Sequence, residues 1–229
     1  TACGKSGLGV ELAKRFDGEI VSADSRQVYK GLDLGTGKVT EEEMEGVPHH
    51  MLDVVEPNQP YSVADFQAGA YAAIDDILAR GRTPFLVGGT GLYVRAVTEG
   101  FTFTDARPDP ALRAELEGKT TEELYALLRE KTGVTLTGGE ENNRHRLMRS
   151  VEKALSGRWE SPPPCPRYDC LLLGVTFPRE EVCRRIDARL QARIDAGMLD
   201  EVAELRANGA TDAFLEGLGL EYRYILRYL

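Results

Sequence analysis

No stretch of the chain stays apolar for the roughly 18 to 20 residues that a membrane span needs, and no signal peptide is visible at its start. Cysteine is sparse: Cys3, Cys165, Cys170 and Cys183 form no C-x-x-C pair, and no histidine lies near the last three. That spacing argues against zinc centres and disulfide frameworks and favours reduced thiols in a cytoplasmic protein. Positive charge is in deficit, with 28 Lys and Arg against 37 Asp and Glu and a net charge of −9. Such a balance opposes indiscriminate nucleic-acid binding but leaves room for a local basic site. Internal repeats, low-complexity tracts and heptad patterns are absent as well, and with an acidic surface this makes a monomer the expectation. What is present, 42% hydrophobic and 28% charged residues over 229 positions, suffices for a sizeable core in one domain or one domain plus a small insertion.

Short apolar runs bounded by turn residues predict strands at Glu19–Ala23, Met51–Val55, Pro84–Val87 and Cys170–Phe177. Their unbroken apolar character fits strands buried on both faces of a parallel sheet. Helical patterns cover Lys5–Phe16, Ser62–Arg80 and Arg179–Ala207, the last broken near Gly197. Ser62 with Asp65 reads as an N-cap with an acid in the first turn, and Gly81 as a stop. The alternation implies an α/β domain with helices flanking a parallel sheet, formed by residues 1–100 and 167–229. Residues 101–166 differ. They show no buried strand but three helical segments, Pro110–Glu117, Glu122–Lys131 and Asn143–Leu155, and close on Ser161-Pro-Pro-Pro-Cys-Pro166. This predicts a small helical insertion on proline-stiffened connections.

Three loops carry chemistry. Thr1-Ala2-Cys3-Gly4-Lys5-Ser6 reads as the back half of a phosphate-binding loop, G-x-x-x-x-G-K-[ST]. Gly4 lets backbone amides approach an anion, Lys5 adds a mobile positive charge, and the Ser6 hydroxyl suits a Mg²⁺ ion. The helix that follows points its positive end at the same phosphate. The pattern also implies a preceding buried strand, so the chain is expected to be incomplete at its N-terminus. Ser22-Ala23-Asp24-Ser25-Arg26-Gln27 brings a carboxylate, a hydroxyl, a guanidinium and an amide to the end of a strand. On that position alone Asp24 suits a Mg²⁺ ligand, a general base or a turn cap. Val87-Gly88-Gly89-Thr90-Gly91-Leu92-Tyr93 permits close backbone approach ahead of a helix, where Thr90 on its own reads as a cap.

In this order and spacing, GKS, SADSRQVYKGLDLGTGK, VPHHMLD, YSVADF and VGGTGLYVRAV resemble the tRNA dimethylallyltransferase family. The resemblance runs on through Arg146-Leu-Met-Arg149-Ser-Val-Glu152, Arg185-Ile-Asp-Ala-Arg189, Gly197-Met-Leu-Asp-Glu-Val202 and Gly219-Leu-Glu-Tyr-Arg223. It implies a fold like that of phosphate-loop NTPases with a helical tRNA-binding insertion. It also implies transfer of a dimethylallyl group from dimethylallyl diphosphate to N6 of adenosine 37, beside the tRNA anticodon. By the same resemblance Thr1, Ala2, Cys3, Gly4, Lys5 and Ser6 would hold the diphosphate, with Mg²⁺ bridging at Ser6. Asp24 would be the general base, and Thr90 and Arg189 would stabilise the departing pyrophosphate. Without the resemblance, Arg189 reads as a solvated helix position.

Asp24, Ser25, Arg26, Gln27 and Thr90 match positions that meet the tRNA, as do Arg113 and the block His145-Arg146-Leu147-Met148-Arg149. Between Asn142 and Arg158 five cations (Arg144, Arg146, Arg149, Lys153, Arg158) face one acid, Glu152. Arg146, Arg149 and Lys153 would share a helix face, suited to single-stranded RNA. His49 and His50 have no ligand cluster around them and read as packing and hydrogen-bonding residues. Family members continue past the equivalent of Leu229 with a basic, Trp-containing helix, so part of the RNA grip is expected beyond it.

Overall fold

The structure, a computed structural model, describes residues 2–103, 109–136, 142–157, 159 and 162–229, with the side chain of Pro110 left aside. Thr1, Arg158 and Ser161, invoked above, lie outside the described residues. In chain order the elements are α1 (Lys5–Arg15), β1 (Gly18–Ser22), α2 (Glu41–Met44), β2 (His49–His50), α3 (Val63–Ala79), β3 (Thr83–Val87) and α4 (Gly91–Thr98). There follow α5 (Pro110–Glu117), α6 (Thr121–Thr132), α7 (Arg144–Leu155), α8 (Arg179–Asp195), α9 (Met198–Ala207), α10 (Asp212–Leu218) and α11 (Leu220–Tyr228). They form two compact units, Thr1–Gly100 with Pro166–Leu229, and Phe101–Cys165.

The first unit is an α/β layer structure. Three parallel strands run in the order β2-β1-β3, with Ile20 beside His49 and Phe85, and Val21 beside His50 and Leu86. All five residues of the central strand β1 are buried, which is why its sequence shows no polar alternation. Its neighbouring side chains point to opposite faces. Ile20 packs with Val10 and Ala13 of α1 and with Val47. Val21 joins Phe66, Ala70, Ile74 and Ile77 of α3 and Tyr93 and Val97 of α4 on the other face. There the Phe66 and Tyr93 rings stack at 4.0 Å. The same cluster takes in Met198, Val202 and Leu205 of α9, Leu215 of α10 and Tyr222 and Ile225 of α11. The start of α3 is fixed by a capping box: the Ser62 side chain accepts the Asp65 amide, and the Asp65 carboxylate takes the Ser62 amide in return. Among the described residues no helix is long and apolar enough to cross a membrane.

Two expected strands are corrected. In Met51–Val55, Met51 (φ 66°) and Asp53 (φ 53°) lie in the left-handed region, which interrupts any extended run. The pairing shifts to His49–His50, and Val55 keeps a single parallel bridge to Tyr29. Cys170–Phe177 forms no strand either: Leu171 is 86% exposed, and Leu172 and Leu173 are also exposed. Strand propensity is realised only against a partner edge, and no described strand lies beside this segment.

The second unit is a helical cluster built on Leu116 of α5, Leu124 and Leu128 of α6, and Leu147, Met148 and Val151 of α7. Asn143 caps α7 by accepting the Arg146 amide at 3.1 Å. The Arg144 guanidinium meets the carbonyls of Glu117 (2.6 Å) and Lys119, satisfying orphan acceptors at the end of α5.

Candidate active site

The C-terminal ends of β1 and β3 and the N-terminus of α1 open onto one cavity of about 470 Å³ in the first unit. Ligands gather at this end of a parallel sheet because the strand-to-helix loops splay apart there. Gly4 takes up a left-handed conformation (φ 71°) at the N-cap of α1, and Ala2, Cys3, Gly4, Lys5 and Ser6 all border the cavity. No side chain caps α1, so its first amides face this space and favour an anion.

The loop after β1 is bound to the loop after β3 through backbone and one hydroxyl. The Ala23 amide donates to the Val87 carbonyl at 2.8 Å, and the Thr90 amide donates to the Ala23 carbonyl at 3.1 Å. A Cβ on Gly88 would collide with the Ala23 backbone, so this crossing requires glycine. Thr90 occupies the N-cap position of α4 without capping it. Its Oγ1 instead accepts the Ser25 amide at 2.9 Å and lies 3.3 Å from the Ser25 hydroxyl. The cavity walls include Asp24, Arg26 and Gln27. Asp24 Oδ1 accepts the Arg26 amide at 2.9 Å and the Gln27 amide at 3.4 Å. The carboxylate therefore acts as a turn cap while facing the cavity.

From α8, Arg189 also borders the cavity; its Nη2 donates to the Gly37 carbonyl at 3.0 Å, and Gln27 Nε2 donates to the same oxygen at 3.0 Å. Lys5, Arg26, Arg189 and Arg193 thus surround a space that Asp24, Glu43 and Glu221 also border. Burial, then the neighbouring Arg189 charge, lowers the Arg193 pKa. Two contributors escaped the sequence reading. Arg193 had a signal, since it lies one helical turn from Arg189. Lys38, the last residue of the SADSRQVYKGLDLGTGK block, does not line the cavity but braces the loop beside it: its buried ammonium donates to the Tyr29 carbonyl at 2.9 Å and to Asp33 at 2.6 Å, and also meets Asp53.

The histidines divide. His49 borders the cavity, its Nδ1 is 2.8 Å from the Val47 carbonyl, and burial lowers its pKa. His50 lies 2.6 Å from the buried Glu19 carboxylate, toward the other end of β1.

In the second unit the basic block does not present one uniform face. Leu147 and Met148 are buried and pack in one apolar cluster with residues of α5 and α6. Arg113 and Arg149 converge on buried Glu152, Nε to Oε1 at 2.9 Å and Nη1 to Oε2 at 3.1 Å. His145 and Arg146 are exposed, and burial lowers the Lys153 pKa, followed by the charge on Arg149.

The first unit thus joins a parallel α/β sheet, a helix N-terminus led by Gly4-Lys5-Ser6, a carboxylate just after a strand and several arginines around one cavity, the layout of a phosphate-loop type of protein. The IPP transferase family model matches residues 27–229. A tRNA dimethylallyltransferase of Oceanobacillus iheyensis is 42% identical over 224 residues, covering 91% of this chain and 70% of its own length. The solved tRNA isopentenylpyrophosphate transferase of Bacillus halodurans is 36% identical with a TM-score of 0.66, covering 100% of this chain and 81% of that one. A eukaryotic dimethylallyltransferase solved acting on tRNA is 25% identical with a TM-score of 0.75, covering 100% of this chain and 63% of its own. The chain belongs to the IPP transferase family.

Proposed function

We propose that the chain transfers the dimethylallyl group from dimethylallyl diphosphate to N6 of adenosine 37, beside the tRNA anticodon, releasing pyrophosphate. The observation that carries this reading is one cavity bordered by Lys5 and Ser6 at a helix N-terminus, by Asp24 and by Arg189.

The reaction needs such groups together. The lone pair of an exocyclic adenine amine is delocalised into the ring, which makes it a weak nucleophile. Its attack on the first carbon of the prenyl chain forms the C–N bond as the C–O bond breaks. The electron pair leaves on the diphosphate, and the N6 proton passes to the Asp24 carboxylate. The amides of the phosphate loop, Lys5 and Arg189 neutralise the leaving group, and the walls hold the reactants in contact. Thr90 supports this arrangement by fixing Ser25 beside Asp24. An adenine stacked in an anticodon loop cannot reach a cavity of this kind, so the base is extruded, and Ser25, Arg26 and Gln27 belong to the segment that meets it. Arg113, His145, Arg146 and Arg149 of the second unit supply contacts to the RNA backbone.

Mg²⁺ fits the donors present. Among the described residues no cluster of three His, Cys, Asp or Glu side chains forms a closed metal cage. Ser6 offers a hard oxygen on the cavity wall, the kind of sparse protein donor Mg²⁺ accepts when substrate phosphates and water complete its shell. The ion would add charge neutralisation at the diphosphate. We place the protein in the cytoplasm, where it works as a monomer.

The test is incubation of full-length protein with Mg²⁺, labelled dimethylallyl diphosphate and unmodified tRNA, with AMP and ATP in parallel. Label should enter tRNA alone. Label entering the free nucleotides instead would assign the chain to adenylate prenylation and overturn the tRNA reading.

A further inference from the structure

We propose that Glu201, on α9, is a positioning residue that sets the Arg189 guanidinium through the loop from Leu32 to Lys38. The inference rests on the role given above to Arg189.

Glu201 is held by four donors. Its Oε2 accepts the amides of Asp33 at 3.0 Å and Leu34 at 2.6 Å. Its Oε1 accepts the amide of Gly35 at 3.0 Å and the Tyr222 hydroxyl at 2.9 Å. Three successive backbone N–H groups converging on one carboxylate form an anion nest, here filled by the protein's own side chain. Such charge-assisted bonds are roughly twice as strong as neutral ones. The arrangement makes the loop's middle a fixture of α9 and α11.

The rest of the loop is pinned to match. The Thr36 hydroxyl donates to the Leu32 carbonyl at 2.6 Å, and buried Lys38 anchors the far end on Tyr29 and Asp33. Gly37 lies between the anchors at φ 61°, and its carbonyl takes both the Arg189 and the Gln27 side chains. A Cβ on Gly37 would collide with the guanidinium groups of Arg189 and Arg193, so both lie directly against this residue's backbone. Arg189 is exposed, and a long exposed side chain samples many rotamers unless an acceptor selects one. The Gly37 carbonyl is that acceptor, and its place depends on Asp33, Leu34 and Gly35 staying on Glu201. Glu201 touches neither arginine in any hydrogen bond described here; it acts at one remove.

The experiment uses the full-length enzyme with labelled dimethylallyl diphosphate and tRNA, comparing Glu201→Gln, Arg189→Ala and the double variant. Tyr222→Phe, which deletes one hydroxyl, is a gentler probe should Glu201→Gln fold poorly. A misplacement of about 1 Å at a reacting centre costs up to about 100-fold. Glu201→Gln should therefore lower kcat by about 10- to 100-fold while the Kd for tRNA stays unchanged. In the Arg189→Ala background the same change should cost no more than about twofold, because residues acting through one another are not additive. Tyr222→Phe should show a smaller loss that Arg189→Ala also erases. Wild-type turnover in both Glu201→Gln and Tyr222→Phe, or equal losses with and without Arg189, would overturn the inference alone. Unchanged turnover in Arg189→Ala would overturn the reading of the site beneath it.

Discussion

The hydroxyl of Thr90 accepts the Ser25 amide at 2.9 Å, joining the loop after β3 to the loop after β1 next to Asp24. A threonine at a helix N-cap ordinarily serves its own helix, yet this one caps nothing in α4. Thr90→Val keeps the shape and removes the acceptor, leaving a half-buried amide unpaired at a cost of about 1 to 3 kcal/mol. We expect kcat to fall about 10- to 100-fold in Thr90→Val and to stay near wild type in Thr90→Ser. Steady-state kinetics with urea unfolding separates the two effects. Equal turnover in the two variants would show that the position, rather than the hydrogen bond, is what matters.

Asp24 carries two duties that substitution can divide. Its Oδ1 holds the amides of Arg26 and Gln27, and the carboxylate faces the cavity. Asp24→Asn keeps a carbonyl oxygen for the turn but cannot accept the N6 proton. It should lose about 10²- to 10⁴-fold in kcat, the usual worth of a general base, with little change in the KM for tRNA. Asp24→Ala should lose the turn as well and raise that KM. An Asp24→Asn enzyme with normal kcat would remove Asp24 from proton transfer and leave it as a cap.

These residues differ in how far they could be read from the chain. Gly4, Lys5 and Ser6 stand out because a phosphate loop is a contiguous pattern with a local cause. Glu19–Ala23 and Pro84–Val87 are legible as strands because short apolar runs, Ile20-Val21 and Phe85-Leu86-Val87, stand between turn residues. The same rule misleads at Met51–Val55, where positive φ values at Met51 and Asp53 are a backbone property no side-chain pattern reveals. It misleads again at Cys170–Phe177, since a strand needs an edge to join as well as a propensity. Helices α10 and α11 are too short to show a clear period, and they pack on each other and, through α11, on α9. Leu147 and Met148 show that a basic block on a helix also contains that helix's buried stripe. The Thr90–Ser25 and Glu201–Leu34 links pair residues far apart in the chain, and such contacts have no signature until the fold brings them together.

Arg113 and Arg149 should reveal a structural duty when removed. Both guanidinium groups meet Glu152, which is only 3% exposed and would otherwise be a buried charge short of partners. Arg113→Met keeps much of the packing and removes one partner, so the second unit should lose about 1 to 3 kcal/mol of stability. Arg146→Met lies on the exposed side of α7 and should change stability by less than about 0.5 kcal/mol. Filter binding to tRNA should weaken in both variants. Unaltered urea unfolding of Arg113→Met would mean that Glu152 is satisfied without it.

Glu19 sets an acid limit for the fold. Its side chain is 2% exposed and meets Arg80, Arg82 and His50, the last at 2.6 Å. The hydrogen bond from Arg80 is the foremost cause that holds its pKa down at about 2 from the ordinary 4.5, against the opposing effect of burial and with help from His50. The folded protein therefore keeps this carboxylate ionised where the unfolded chain would protonate it. The stability this contributes is complete above pH 4.5 and is lost as the pH falls through 2. Glu19→Gln removes the buried carboxylate that Arg80 and Arg82 share, leaving them Asp76 and Asp17 on the surface, and should cost about 1 to 3 kcal/mol at neutral pH. It should also flatten the fall in stability between pH 5 and pH 2 relative to wild type. Urea midpoints taken across that range check both statements, and parallel curves for the two proteins would move the acid sensitivity to other carboxylates. Because Glu19 lies toward the start of β1 and Asp24 follows its end, the pH profile of turnover near neutrality should be the same in both proteins.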